Sequence, residues 1–202
     1  IDSDDGLEIM RHTLTAQVLA RAVKNLFPGT KLAIGPTITD GFYYDFEFKK
    51  AISPEDLDSI EKEMKKIISS NSAITKKLNT KEEAIEIFKL EGEPYKESII
   101  NDSEQEDGFQ LYYQDDSKFV DLCRGPHIPS LKHIGAFKLL KIAGAYWKGD
   151  SNNKMLTRIY GTAWKNEKDL SAYLDRIEEA EKRDHRKLGK EMNLFHFQEE
   201  AP

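Results

Sequence analysis

Cysteine is nearly absent from this sequence, which has one, Cys123, among 202 residues. A single thiol cannot form a disulfide within the chain, and sparse cysteine is typical of a reducing compartment, which predicts a cytoplasmic location. No apolar run approaches the ~18 residues of a membrane span. The first residues also lack a signal-peptide pattern. The chain does not begin with Met, so we expect it to be a piece of a longer protein.

Positive charge is also scarce overall, because 30 Lys and Arg face 36 Asp and Glu and the net charge is −6. Such a chain is not expected to bind nucleic acids indiscriminately. Between Ser130 and Lys165, however, seven basic residues accompany one acidic residue, Asp150. Charge alone leaves two readings of this segment open, a phosphate-contacting surface or an ordinary solvated lysine face. The basic tract consists of Lys132, Lys138, Lys141, Lys148, Lys154, Arg158 and Lys165.

The composition, with 39% hydrophobic and 33% charged residues, is that of a folded globular protein. Apolar periodicity predicts α+β structure, in which helices pack on a mixed or antiparallel sheet and a charged helix follows the main domain. The predicted helices cover 12–25, a segment from Ser53, a short segment from the capping box at Thr80, and a segment from Glu167 towards Lys190. The predicted strands cover 31–35, 42–48, 109–113, 119–122, 136–145 and 155–163.

The nine-residue segment Phe119–His127 contains both a cysteine and a histidine, two residue types that often take part in catalysis. Cys123 lies four residues before His127, across the turn that Gly125 and Pro126 predict. A thiol and an imidazole held together suit nucleophilic or acid/base chemistry or metal ligation. The alternative is a tight turn with a buried, unreactive thiol.

Two further segments offer candidate site residues. Thr13 or Thr15 is predicted to cap the first helix, which places His12 at the helix N-terminus, where the dipole favours a neutral ring. In the aromatic strand, Tyr44 shares a face with Phe42 and Phe46, and the opposite face carries Tyr43. We expect the face with Phe42, Tyr44 and Phe46 to lie in the hydrophobic core. We expect Tyr43 and Asp45, on the opposite face, to line a cleft.

Several motifs together resemble the editing domain of bacterial threonyl-tRNA synthetases, and the resemblance covers essentially the whole sequence. They include Asp121-Leu-Cys-Arg-Gly-Pro-His127, Ala143-Gly-Ala-Tyr-Trp-Lys-Gly-Asp150, Gly41-Phe-Tyr-Tyr-Asp-Phe46, Met155-Leu-Thr-Arg-Ile-Tyr-Gly-Thr-Ala163 and Arg183-Asp-His-Arg-Lys-Leu-Gly189. By this resemblance, residues 1–165 form the editing domain. Residues 166–202 form a linker helix and the lead-in to a class II catalytic core that is missing here.

The resemblance implies hydrolytic proofreading of seryl-tRNA(Thr). The aminoacylation site of such an enzyme can distinguish threonine from serine, which lacks one methyl group, by only about 1–3 kcal/mol. A second site that hydrolyses the wrong product is therefore expected. The implied partners are the acceptor end of tRNA(Thr) carrying serine and the rest of the synthetase in cis. The fragment is expected to be a monomer, and the full-length synthetase a homodimer. ATP, Mg²⁺ and structural Zn²⁺ would belong to the absent core, so editing itself is expected to need no cofactor.

The resemblance also assigns candidate residues. It implies catalytic roles for His12, Lys96, Asp121, Cys123 and His127. It implies contacts to substrate or tRNA from Gln17, Tyr43, Tyr44, Arg124, Lys148 and Arg158, with Tyr43 preferred to Tyr44 as the pocket wall. The other histidines, His133, His185 and His196, are expected to be structural or surface residues.

The first helix departs from the family pattern His-x-x-x-His. If Val18-Leu19-Ala20 is the anchor, Gln17 replaces the second histidine and one extra residue separates it from His12. His12 reaches the site only if that residue is absorbed at the helix start, and otherwise Thr13 takes its place. Gln17 cannot act as a base. The alternative function is therefore a non-catalytic module that positions the tRNA acceptor end, and a second alternative is a hydrolase with Zn²⁺ at Cys123 and His127.

Overall fold

The structure is a computed structural model that describes residues 3–105 and 107–183, and it has the α+β architecture expected from the sequence. Its helices are α1 (Asp4–Thr13), α2 (Ala20–Leu26), α3 (Asp56–Ser69), α4 (Lys81–Glu91), α5 (Pro94–Asn101) and α6 (Glu167–Lys182). A π-helical segment, Leu14–Leu19, joins α1 to α2, and 3₁₀ turns cover Leu131–His133 and Trp147–Gly149. The strands are β1 (Lys31–Leu32), β2 (Thr37–Ile38), β3 (Gly41–Glu47), β4 (Ile74–Asn79), β5 (Phe109–Gln114), β6 (Val120–Leu122), β7 (Ala136–Tyr146) and β8 (Met155–Trp164).

The larger sheet has five antiparallel strands in the order β1-β3-β8-β7, with β2 also paired to β3. The apolar face of β3, with Phe42, Tyr44 and Phe46, is buried against the first helices and α3. This burial confirms the expected core face of the aromatic strand, because alternate residues of a strand point to the same side. The main core therefore lies between this sheet and the helices that carry His12.

The smaller sheet is antiparallel, in the order β4-β5-β6, and packs against α4 and α5 through a second core that includes Phe88, Ile100 and Leu111. In its register Tyr112 is opposite Asp121, the residue that precedes Leu122 and Cys123. The pairing fixes the strand that leads into the Cys–His turn. The site residues of that turn are thus anchored to the smaller sheet, whereas His12 belongs to the larger layer.

The first helix begins earlier than predicted. Ser3 caps α1 by accepting the N–H of Gly6, with Asp4 and Asp5 in the first turn, so His12 lies well inside the helix instead of at its N-terminus. The extra residue is absorbed after His12, in the π-helical segment, and not at the helix start. A π-helix uses i→i+5 hydrogen bonds, here from Ala20 N–H to the Thr15 carbonyl, and so accommodates one more residue without redirecting the chain.

Other local predictions have mixed outcomes. The capping box between Thr80 and Glu83 is confirmed in both directions, but α5 and β4 were not predicted. The helix expected from Ser53 begins at Asp56. The last helix begins at Glu167, as expected, and is described to Lys182. Its predicted continuation towards Lys190 lies outside the described residues, as do residues 184–189 of the last motif, His185 and His196. Within residues 3–105 and 107–183, none of the helices has the length and apolar character needed to cross a membrane.

Candidate functional site

A cleft of about 730 Å³ opens between the two sheets and contains many of the candidate residues. Its walls come from the first helix, β3, α5 and the segment after β6. Large apolar clefts with a few convergent polar groups are the usual sites of ligand binding. Of the residues predicted from the sequence, the cleft is lined by His12, Tyr44, Lys96, Asp121, Cys123, Arg124 and Lys148.

His12 and Cys123 form the polar centre of one wall. The Nε2 atom of His12 lies 2.7 Å from the Sγ atom of Cys123, and the N–H of Gly125 donates to the same sulfur at 3.3 Å. The turn needs glycine at this place, because Gly125 has φ +66° and an added Cβ would lie 2.1 Å from the Tyr112 hydroxyl. The predicted role of Gly125 is confirmed, and the π-helical segment leaves His12 facing the thiol.

His127 lies behind His12 instead of lining the cleft. The two imidazole rings stack with centroids 4.7 Å apart and an interplanar angle of 2°, and Tyr112 closes the other side edge-on. Nδ1 of His127 is 3.1 Å from the Thr13 hydroxyl, which also donates to the Ile9 carbonyl and accepts from the N–H of Ile128. Because Thr13 has one hydroxyl proton, this arrangement assigns the ring proton to Nδ1.

Both members of the His12–Cys123 pair are held neutral. Burial lowers the pKa of His12 below its ordinary value, and burial raises the pKa of the Cys123 thiol to about 11. Burial, together with the neighbouring His12, lowers the pKa of His127 to about 3. A thiolate–imidazolium pair of the kind used by cysteine nucleophiles is therefore disfavoured at neutral pH. The geometry favours two neutral imidazoles and a protonated thiol.

A buried ion pair also lines the cleft. Nζ of Lys96 lies 2.6 Å from Oδ1 of Asp121, and both side chains are nearly inaccessible to solvent. The Tyr44 hydroxyl donates to Oδ2 of Asp121 at 3.2 Å, and the N–H of Leu122 donates to Oδ1. Asp121 is thus an acceptor that holds Lys96 and Tyr44 in place, while Lys96 presents a positive charge at the cleft.

Lys96 is positioned by α5, a helix that begins with Pro94 at its first turn. Glu93, at the start of this helix, is 2% exposed and accepts from the N–H of Leu32 in β1 at 2.7 Å and from the ammonium of Lys24 in α2. Burial raises the pKa of the Glu93 carboxyl, which its two donors partly oppose. One carboxylate therefore joins the wall that carries Lys96 to the layer that carries His12.

Three residues predicted to contact substrate or tRNA lie elsewhere. Tyr43 is on the other face of β3, where the guanidinium of Arg158 stacks 3.7 Å from its ring centroid. Arg158 donates to both carboxylate oxygens of Asp45, at 2.7 and 2.8 Å, and this bonding raises its pKa. Gln17 is fully buried on the side of the first helix that meets Gln114. The structure therefore places Tyr44, not Tyr43, in the cleft.

Carboxylates partner much of the basic tract. Lys138 pairs with Glu61, Lys148 with Asp102, Lys154 with Glu47 and Arg158 with Asp45. Lys141 lies over the ring of Tyr160. The local positive charge is thus partly neutralised by neighbouring acidic residues, as the solvated-face interpretation requires, while Lys148 and Arg124 still reach the cleft.

The donor atoms of His12, Cys123 and His127 lie within 4.8 Å of one another, close enough to consider a shared metal. Two ligand atoms on one tetrahedral zinc ion are about 3.5 Å apart, given Zn–N and Zn–S bonds of about 2.0 and 2.3 Å. The 2.7 Å between His12 Nε2 and Cys123 Sγ is instead a hydrogen-bond distance. Gln17 is turned away and is not a further ligand. At the His12–Cys123 distance seen here, the arrangement does not fit a tetrahedral zinc ion.

Comparison with known proteins places this site in a family. Residues 110–160, which contain Asp121, Cys123 and His127, match the family described as Threonyl and Alanyl tRNA synthetase second additional domain. Over 98% of its length the chain is similar to threonine–tRNA ligases: 56% identical over 198 residues in Hahella chejuensis, 57% over 198 in Francisella philomiragia and 56% over 199 in Legionella pneumophila strain Corby. The chain spans 31% of the length of each relative. Residues 110–160 of the chain therefore carry the threonyl and alanyl tRNA synthetase second additional domain, and the chain as a whole is similar to a segment that makes up about 31% of a threonine–tRNA ligase.

Proposed function

We propose that this chain hydrolyses the ester bond of seryl-tRNA(Thr) as the proofreading domain of a cytoplasmic threonyl-tRNA synthetase, with the remainder of the synthetase in cis. The observation that carries the proposal is the contact between His12 and Cys123 in the cleft, which Lys96 also lines. A histidine turned into solvent would have favoured a module that only positions tRNA. Proofreading is what the family membership leads us to expect of such a cleft.

In the proposed reaction, a water oxygen bonds to the ester carbonyl carbon, and the bond from that carbon to the ribose oxygen breaks. His12 is the candidate base, because it lines the cleft whereas His127 stands behind it. It accepts the water proton at Nδ1, the ring nitrogen that does not contact Cys123, and the imidazolium returns this proton to the ribose oxygen as that oxygen leaves. Neutral His12 is available for this step at physiological pH because burial lowers its pKa.

The other residues would bind and orient the substrate. The ammonium of Lys96 has three N–H donors, of which Asp121 engages one, so the others can stabilise the oxyanion that develops on the carbonyl. The thiol of Cys123 stays protonated and fixes the ring of His12 instead of attacking the ester. Arg124 and Lys148, at the rim of the cleft, would contact phosphates of the tRNA acceptor end.

The proposal includes no resident metal, because the spacing of His12 and Cys123 is that of a hydrogen bond. Hydrolysis should therefore survive dialysis against EDTA, and added Zn²⁺ should leave it unchanged or inhibit it by competing for the thiol and the imidazole. Loss of activity in EDTA, restored by Zn²⁺, would instead identify a zinc hydrolase.

The decisive experiment is single-turnover deacylation, with the 202-residue chain in large excess over seryl-tRNA(Thr) and, in parallel, over threonyl-tRNA(Thr). We expect rapid loss of serine and slow loss of threonine. The matched variants are His12→Ala and His133→Ala, one histidine in the cleft and one on the surface. The first should reduce the rate about 100-fold or more, as loss of a general base does, and the second should not.

Two outcomes would overturn the proposal. Deacylation at the spontaneous rate, with tRNA binding retained, would make the chain a positioning module. Equal loss of serine and threonine would show that the cleft does not discriminate the two amino acids. Binding is measured with the same labelled tRNA by its change in fluorescence anisotropy.

A further inference from the structure

The π-helical segment Leu14–Leu19 is connected to the smaller sheet by one buried side chain. Nε2 of Gln114, the last residue of β5, lies 2.7 Å from the backbone carbonyl of Gln17 and 3.3 Å from its side-chain oxygen. Both glutamines are inaccessible, at 2% and 0% exposure. A polar contact this deeply buried is costly to break, because neither partner can turn to water.

The orientation of Gln114 is itself fixed from the other end. Arg21, in α2, donates to Oε1 of Gln114 at 2.6 Å, and the same guanidinium is bidentate with Asp116 at 2.8 and 3.2 Å. Since Oε1 accepts from Arg21, Nε2 must be the atom that faces Gln17. The network Asp116–Arg21–Gln114–Gln17 thus joins the π-helical segment to β5 with a defined direction.

The two ends of this connection are the two sides of the catalytic contact. The π-helical segment begins two residues after His12, and β5 pairs through Tyr112 with Asp121, two residues before Cys123. The side chain of Gln114, which lies between them, therefore determines the position of the helix that carries His12 relative to the sheet that leads to Cys123. The segment that contains one residue more than the family pattern is also the segment that Gln114 binds.

We infer that Gln114 is a positioning residue, which acts through the Gln17 carbonyl to hold the π-helical segment on β5 and so keeps His12 facing Cys123. Gln17 then serves as an attachment point, which accounts for its burial away from the cleft. The expected effect of Gln114 on the deacylation rate rests on the proposed hydrolysis. Its expected effect on structure concerns only the position of His12.

The test variant is Gln114→Met, which keeps the length of the side chain and removes the amide. The control is Thr162→Val, which removes another fully buried polar group from outside the cleft, where the hydroxyl donates to the Asp40 carbonyl. In single-turnover deacylation, we expect Gln114→Met to lower the saturating rate by about 10- to 100-fold, as small misplacements do, with less than a twofold change in the half-saturating concentration. Thr162→Val should leave the rate unchanged.

A second change in the chain, a deletion in the π-helical segment, distinguishes a positioning role of Gln114 from a general loss of stability. Deleting Leu14 removes one residue from the π-helical segment and should convert it to α-helix, which needs no attachment to Gln114. We expect Gln114→Met to have little effect in that background. An equal loss of rate with and without the deletion would overturn the inference.

A readout independent of activity completes the experiment. The imidazole titration of His12, followed by NMR and assigned with His12→Gln, should move in Gln114→Met towards the ordinary pKa of 6.5, because a displaced ring is solvated. An unchanged titration would contradict the inference even if the deletion variant did not fold. If the unaltered chain does not hydrolyse seryl-tRNA(Thr), the proposed function fails, and this titration alone decides the role of Gln114.

Discussion

The imidazole of His12 meets the thiol of Cys123 at 2.7 Å although 111 residues separate them along the chain. The contact joins the two layers of the molecule at the cleft, since His12 belongs to the helices on the larger sheet and Cys123 follows the smaller sheet. Its consequences for reactivity, stability and pH dependence can be measured separately.

Cys123 should be an unreactive thiol in the folded chain. Its pKa of about 11, against an ordinary 9.0, lowers the thiolate fraction at pH 7.5 about 100-fold. We expect alkylation by iodoacetamide to be slower than that of a free peptide thiol by this factor, and to reach the ordinary rate in urea. Because the chain has no other cysteine, the total adduct mass reports this one site. Alkylation at the free-thiol rate in the folded state would contradict the burial argument.

Stability should fall in mild acid because of His127. Its folded pKa of about 3 lies below its unfolded value of about 6.5, so between these limits the unfolded chain binds a proton that the folded chain does not. The free energy of unfolding should therefore decrease as pH falls, by about 1.4 kcal/mol per pH unit from this group. Urea denaturation at pH 7, 6 and 5 measures the slope. His127→Gln should flatten it and the surface variant His133→Gln should not.

The hydrolysis rate should be less sensitive to acid than an ordinary histidine base would allow. Since burial lowers the pKa of His12, the ring stays neutral below pH 6.5, and the deacylation rate should stay level there before it falls. The pH–rate profile between 4.5 and 8 gives the apparent pKa. A midpoint at or above 6.5 would exclude the buried imidazole as the base.

Substitutions of Lys96 and Asp121 should have different effects on stability and on activity. Lys96→Met leaves the carboxylate of Asp121 buried without its cation, which should cost about 3–5 kcal/mol. Adding Asp121→Asn removes the uncompensated charge and should recover most of that stability. Hydrolysis should remain absent in the double variant, because the ammonium at the cleft is still missing. Recovered hydrolysis would show that Lys96 only neutralises Asp121.

Adjacent tyrosines provide a matched test of the cleft wall. Tyr44→Phe removes the hydrogen bond to Asp121 in a fully buried setting and should destabilise the chain by about 1–3 kcal/mol. Tyr43→Phe keeps the ring that stacks with Arg158 and should change stability by less than about 0.5 kcal/mol. Chemical denaturation of both variants compares them directly, and equal losses would contradict this placement.

The sequence predicted what depends on local signals. The capping box at Thr80 and the turn at Gly125 are encoded in a few adjacent residues, and both are confirmed. Strand β4, rich in lysine and largely exposed, lacks the apolar alternation that reveals a half-buried strand. Helix α5 is short, although Pro94 at its first turn was a usable signal.

The site required tertiary information. Alternation in β3 correctly assigned Tyr44 to the buried face, but that face also reaches the cleft, which sequence alone does not reveal. The role of Gln114 depends on a residue 97 positions away, and no local pattern marks it. Likewise, the extra residue near His12 was visible in the sequence, but a π-helix and a displaced helix start would look the same there.

The buried carboxylate of Glu93 has a consequence for selectivity. It binds Lys24 at the end of the helical layer that carries His12, the backbone of β1, and the start of the helix that carries Lys96. A ligand that widened the cleft would have to break this ion pair, of which the carboxylate is buried and the ammonium is partly exposed. The bonds of Glu93 therefore resist widening of the cleft, and a cleft of fixed width is what the proposed discrimination between serine and threonine requires.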